Sequence, residues 1–80
     1  MNSTYQLFDL ISGNVLDVFA RESDALDFLI ALRHEHGDEA IRRFALTRET
    51  GDDSTLVAME DELVRRVQRE AAEVSTTRLR

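Results

Sequence analysis

The sequence predicts a small α+β domain in which one ββα unit is followed by a second. Two turns that contain glycine, near positions 13 and 51, each lie between runs of residues suited to β-strands. Each pair of runs is followed by a segment whose apolar residues have helical spacing. Because 80 residues can enclose only one hydrophobic core, we expect a single domain over residues 1–74 and a frayed tail over residues 75–80.

The first hairpin is predicted from residues 5–11 and 15–20, which are rich in aromatic and β-branched side chains. Between them, Ser12-Gly13-Asn14 supplies residues that tolerate the positive φ angles of a tight turn. Two registers stay open. Gly13 and Asn14 can form a two-residue loop, or Gly13 can be a bulge residue in a three-residue loop.

The first helix is expected over about residues 23–36. Ser23 is a suitable N-cap, acidic residues follow in the first turn, and Gly37 is placed to end the helix. Its apolar residues span roughly 200° around the helix axis at about 100° per residue, twice the width of an ordinary surface helix. We therefore expect this helix to be covered on more than one side.

The second half repeats the order. Residues 41–49 alternate as a third strand, and residues 50–53 have the composition of a turn. We favour a fourth strand over residues 54–59, although one long helix beginning at Ser54 also fits the spacing. A narrow apolar stripe predicts a second helix over about 60–74. The expected architecture is an antiparallel sheet of three to four strands with two helices packed mainly on one face.

Composition restricts the environment and the partners. The chain has no cysteine, no predicted leader peptide and no apolar run long enough to cross a bilayer, so we expect a cytoplasmic protein. Its net charge of −6 lies wholly in residues 1–39, where eight acidic residues face two arginines, whereas residues 40–80 hold eight of each. An acidic first half repels phosphate and attracts a basic surface.

No motif indicates catalysis, and we expect neither an enzyme nor a metal or cofactor site. His34 and His36 point about 200° apart on a helix, and their place before Gly37 suits helix capping better than metal binding. The serines lie in predicted turns, caps or tails. On the second helix, Arg66 can pair with Glu62 or Glu70, which indicates a solvent-exposed face rather than a phosphate-binding stripe.

The first hairpin carries apolar side chains on both faces in either register. An antiparallel sheet that is covered on one side normally has polar side chains on its other face, so this pattern indicates a cover for the second face. Burying four such side chains is worth roughly 4 to 8 kcal/mol before association costs, so we expect a protein-protein interaction module, most simply a homodimer. The predicted interface is Phe8, Leu10, Val15 and Phe19, and the predicted acidic rim is Asp9, Asp17, Asp24 and Asp27.

Three alternatives remain open at the level of sequence. The second helix can cover this hairpin face within one chain. The protein can be an acidic inhibitor, similar in role to an antitoxin, whose first half binds a basic partner. It can also bind nucleic acid through the arginines of its second half, although those segments have no excess of positive charge.

Overall fold

The computed structural model describes the backbone of residues 3–78 and the side chains of residues 3–74. Its elements are β1 (Ser3–Asp9), β2 (Val15–Phe19), α1 (Glu22–His36), α2 (Asp38–Arg42), β3 (Phe44–Thr50), β4 (Asp53–Met59) and α3 (Glu60–Arg78). The predicted α+β class and ββαββα order are confirmed, with a short additional helix between the two halves. The segment from position 54 is a strand, as favoured from the sequence.

The four strands form one antiparallel sheet in the order β2-β1-β3-β4. Each half of the chain contributes a hairpin, and the first strands of the two hairpins pair at the centre, where Leu7 lies opposite Leu46. Each hairpin has a β-bulge beside this pair, with Leu16 as the extra residue of β2 and Val57 as the extra residue of β4. The two hairpins are therefore related by an approximate half-turn about an axis through the sheet centre.

All three helices pack on one face of the sheet and enclose the core with it. The buried side chains of this core are Leu7, Ala25, Leu26, Leu29, Ile41, Phe44, Leu46, Ala58, Leu63, Val64 and Val67. α1 contacts both strands of the first hairpin as well as α2 and α3. The wide apolar surface of α1 is thus covered from the sheet and from two helices, and the ring of Phe28 packs against that of Phe19, with centroids 5.7 Å apart.

Several boundaries differ from the predicted ones. α1 begins at Glu22 after Arg21, without a side-chain cap, so Ser23 lies in the first turn instead of capping it. Residues 38–42 form a helix where a strand was expected from position 41, because Gly37 with φ of 82° redirects the chain and Ile41 reaches the core from a helical turn.

α3 continues to Arg78, four residues past its predicted end. The tail expected over residues 75–80 lies partly outside the described residues. Among the residues that the structure describes, no helix is both long and apolar enough to cross a membrane.

Candidate interaction surface

The face of the sheet turned away from the helices carries two rows of side chains. Residues directly opposite each other in an antiparallel ladder point to the same face, so the strand register defines these rows. The first row is Val15, Phe8, Ala45 and Met59, and the second row is Val18, Gln6, Thr47 and Leu56. We call these eight residues the open face.

The open face has no charged side chain, although 32% of the chain is charged. Six of its eight residues are apolar. Val18 is 50% exposed, Leu56 is 52% exposed, and Val15 and Met59 are exposed to a similar or slightly smaller degree. Ala45 is buried among its larger neighbours. Within the described residues the helices all lie on the opposite side, so helix packing within one chain leaves this surface uncovered.

One carboxylate marks the end of the open face. Glu49 is two residues beyond Thr47 on β3 and accepts hydrogen bonds from Thr47 Oγ1 at 2.8 Å and from Ser54 Oγ at 2.6 Å. Both hydroxyls lie on the same side of the sheet as Glu49. The apolar surface therefore ends at a carboxylate that is already held by neighbouring hydroxyl groups.

The structure brings together two of the four residues predicted as an interface. Phe8 and Val15 are directly paired on the open face. Leu10 lies in the turn after β1, where its N–H donates to the carbonyl of Arg43. Phe19 lies on the helix side, opposite Tyr5 and against Phe28. The four do not form one surface.

The turn explains this arrangement. The Gly13 N–H donates to the carbonyl of Asp9 and the Asp9 N–H donates to the carbonyl of Asn14, so the loop is longer than either expected register. The bulge at Leu16 then changes the pairing between Leu7 and Phe8 by one residue. Neither expected register of the first hairpin forms.

Two residues of the open face, Leu56 and Met59, come from β4 and were not expected there. The apolar segment that holds them was visible in the sequence. The bulge at Val57 places Leu56 and Met59 on the open face and Ala58 in the core, and this break in alternation has no clear sequence signal.

The predicted acidic rim does not surround the open face. Asp24 and Asp27 are on α1, which is on the other side of the sheet. Asp24 pairs with Arg21 at 3.3 Å, and Asp17 accepts a hydrogen bond from the N–H of Val18. These carboxylates occupy separate positions rather than one acidic surface.

Asp9 is held by its own chain. It forms an ion pair with Arg43 at 2.8 Å and accepts the N–H of Ile11 at 2.9 Å. The Arg43 guanidinium, by donating to this carboxylate, holds the pKa of Asp9 below its ordinary value, and the hydrogen bond from Ile11 acts in the same direction. Asp9 therefore fastens β1 to the segment before β3.

The arginines pair mainly between elements. Arg66 on α3 donates to Glu22 at the start of α1, instead of to a neighbour on its own helix. Arg42 bridges Glu39 and Asp61, and these partners raise its pKa, the Asp61 hydrogen bond most strongly. Such arginines connect the helices, which leaves them less available to phosphate groups.

Asp38 likewise accepts from Arg33 at 2.6 Å, and this hydrogen bond lowers the pKa of Asp38. Gln68 on α3 donates to the same carboxylate at 3.1 Å. The junction between α1 and α2 is thus tied to α3 by side chains that no short sequence motif connects.

One concave region of the described surface is lined mainly by apolar residues. A cleft of about 570 Å³ lies where the first hairpin loop meets the ends of α1 and α2, lined chiefly by Ile11, Leu32, Ala40 and Phe44 with His36 at its rim. His36 contacts Glu35 at 3.6 Å. Among the described residues, no group of three or more histidine or acidic side chains is arranged to hold a metal ion.

The chain matches no protein-family model, and comparison with curated proteins and with solved structures found no match.

Proposed function

We propose that this protein is a non-enzymatic interaction module that forms a homodimer by stacking the open faces of two copies. The observation that supports the proposal is the open face itself, an uncharged and mostly apolar sheet surface that no described helix covers. Two antiparallel sheets commonly pack face to face about 10 Å apart, with their side chains interdigitated.

The expected affinity follows from the exposed side chains. Complete burial of a Val, Leu or Met side chain is worth about 1.5 to 3 kcal/mol, so one that is about half exposed contributes about 1 kcal/mol on burial. Val15, Val18, Leu56 and Met59 are exposed to about this degree, and each copy contributes all four. The gross gain of about 8 kcal/mol is opposed by an association cost of at least about 4 kcal/mol. The net gain of about 4 kcal/mol corresponds to a Kd of about 1 mM.

The charge distribution also favours this arrangement. Most of the 16 acidic residues lie on the helices, which occupy the outer side of each copy when the open faces meet. With layers spaced by about 10 Å, the two helix layers are separated by roughly 30 Å. This is nearly four Debye lengths at physiological ionic strength, so the repulsion between the copies is largely screened.

A second copy also supplies stability that the core of so small a domain lacks. A core enclosed by 80 residues supplies only a few kcal/mol of stability, and this chain has no cysteine with which to form a disulfide. Association through the open face adds buried apolar area without any change in the core. The free energy of unfolding then rises with protein concentration.

The experiment is sedimentation velocity from about 5 µM to 1 mM, a range that reaches the expected Kd. We expect the weight-average mass to rise from 9.2 kDa toward twice that value. The Leu56→Asp variant should stay at 9.2 kDa, because dimerisation buries the new carboxylate without a partner. Ile11→Asp is the matched control, since Ile11 is 77% exposed but lies in the hairpin loop, off the open face.

The proposal is overturned when the unmodified chain remains monomeric at 1 mM, or when Ile11→Asp reduces association as much as Leu56→Asp does. Circular dichroism of each variant shows whether its fold is retained. Repeating the series at about 50 and 300 mM salt separates this interface from one based on carboxylates, because association through an uncharged face changes little with screening.

A further inference from the structure

Gln6 is a polar residue at the centre of the open face. It lies on the central strand β1, between Val18 on β2 and Thr47 on β3. Its side-chain amide has two donor hydrogens and one acceptor oxygen, and it makes no hydrogen bond with any part of the chain whose side chains are described. Thr47, in contrast, donates its hydroxyl hydrogen to Glu49 and keeps oxygen lone pairs free to accept.

A second copy that covers the open face must satisfy this amide. An amide buried without a partner loses its hydrogen bonds to water without replacement, and this cost is a large part of the expected association energy. The open face offers only two polar side chains as partners, Gln6 and Thr47. The position of Gln6 therefore restricts how two copies can be oriented.

The two hairpins of one chain are related by an approximate half-turn. Two orientations of the second copy therefore give contact surfaces of similar shape. The twofold axis of the homodimer can run parallel to the strands or, within the plane of the sheet, perpendicular to them. The two cases differ by a half-turn of one copy about the normal to its sheet. Because β1 and β3 exchange places under this half-turn, backbone shape discriminates poorly between them.

The side chains do discriminate. In the first orientation the twofold axis is parallel to the strands and centred on the Leu7 and Leu46 pair. Each row of open-face side chains in one copy then lies over the same row of the second copy. Gln6 then faces Thr47 of the second copy, and Phe8 faces Ala45 of the second copy. A polar group meets a polar group and a large ring lies over a small side chain, which allows the layers to interdigitate.

In the second orientation the twofold axis is perpendicular to the strands. The first row of one copy then lies over the second row of the other copy. Gln6 then faces Phe8 of the second copy, and Thr47 faces Ala45 of the second copy. The amide is buried against a phenyl ring without a hydrogen-bond acceptor, and the two largest central side chains oppose each other.

We infer that Gln6 is the residue that selects the orientation of the homodimer, with the twofold axis parallel to the strands and the Gln6 amide donating to Thr47 Oγ1 of the second copy. This inference rests on the proposed homodimer. A single buried polar residue sets orientation or register in the same way in coiled coils, where it also lowers stability relative to an apolar residue.

The orientation can be measured with a spin label, since the chain has no cysteine of its own. Asp52 lies in the exposed turn between β3 and β4, away from the open face, and Asp52→Cys accepts a nitroxide label. From the strand spacing and the distance between sheets, the two labelled turns lie at the same end of the stack, about 15 Å apart, when the axis is parallel to the strands. They lie at opposite ends, about 35 Å apart, in the other orientation.

We expect electron double resonance of the labelled dimer to give the short distance alone. In the Gln6→Leu background the long distance should appear beside the short one, while the Kd changes by less than about tenfold, because replacing a polar pair with apolar contacts is close to neutral. Gln68→Leu is the matched control. Gln68 lies on α3, far from the open face, and its replacement should leave the distance and the Kd unchanged.

The inference is overturned when the dimer of the unmodified open face gives the long distance, or when Gln6→Leu retains the short distance alone. A labelled chain that is monomeric at 1 mM instead overturns the homodimer itself. The two failures are therefore distinguishable in one series of samples.

Discussion

Leu46→Ala tests which face of the sheet is the core. Leu46 is fully buried at the centre of the sheet, opposite Leu7 on β1 and Ala58 on β4. The substitution removes three carbon atoms from a site whose backbone is held by hydrogen bonds to strands on both sides. Because this site cannot collapse, we expect a loss of about 4 kcal/mol, within the range of about 2.7 to 5 kcal/mol measured for such cavities.

That loss is comparable with the total stability of an 80-residue domain, about 4 to 12 kcal/mol. The same change at Leu56 is the natural comparison, because Leu56 is on the adjacent strand but 52% exposed on the open face. In dilute solution Leu56→Ala should cost about 1 kcal/mol or less, since its side chain loses little burial in the monomer.

The assay is urea unfolding followed by circular dichroism at about 5 µM protein, a concentration far below the expected Kd. A Leu46→Ala variant that is as stable as Leu56→Ala contradicts the assignment of the two faces. At about 1 mM the unmodified chain should unfold at a higher urea concentration than at 5 µM, and Leu56→Ala should reduce this difference.

Three further substitutions test local features of the fold. Asp9→Asn should destabilise the protein at pH 7. The Arg43 ion pair lowers the pKa of Asp9, so its stabilisation is fully present above the unfolded pKa of about 4 and is lost as pH falls through the lowered pKa of the folded state. Acid unfolding curves of variant and parent should converge below that lowered pKa. Gly37→Ala should cost about 1 to 3 kcal/mol in urea unfolding. Gly37 has φ of 82° with ψ of 180°, a conformation almost exclusive to glycine, and a methyl group added to its Cα meets no neighbouring atom within 4 Å, so the whole cost is conformational; an unchanged midpoint contradicts this geometry. A double-mutant cycle of Phe19→Ala and Phe28→Ala should give a coupling of about 1 kcal/mol from the ring pair, and additive losses speak against the contact.

Local sequence patterns predict most of the secondary structure. Gly13 and Gly51 both adopt positive φ in the turns where they were expected, and Gly37 does so at the end of the first helix. The strands and helices could be predicted because alternation and helical spacing depend on residues within a few positions of each other. The short helix over residues 38–42 was missed because its only buried residue, Ile41, also fits the start of the third strand.

The open face was only partly predictable. Phe8 and Val15 were assigned to a common surface, and the structure pairs them. Phe19 went to the opposite face, because one extra residue in a strand moves every later side chain across the sheet. Bulges and loop length depend on hydrogen bonding between strands. The sequence of a single strand therefore gives little indication of where a bulge lies or how long the loop is.

The α+β class, the order of elements and the presence of surplus apolar side chains can all be predicted from the amino-acid sequence, because each depends on composition or short-range periodicity. The composition of the open face and the acidic partners of the arginines, in contrast, are known only from the folded structure. Arg66 pairs with Glu22, 44 positions away. Contacts at such separation arise from the packing of whole helices and strands against one another, which no local pattern of residues encodes.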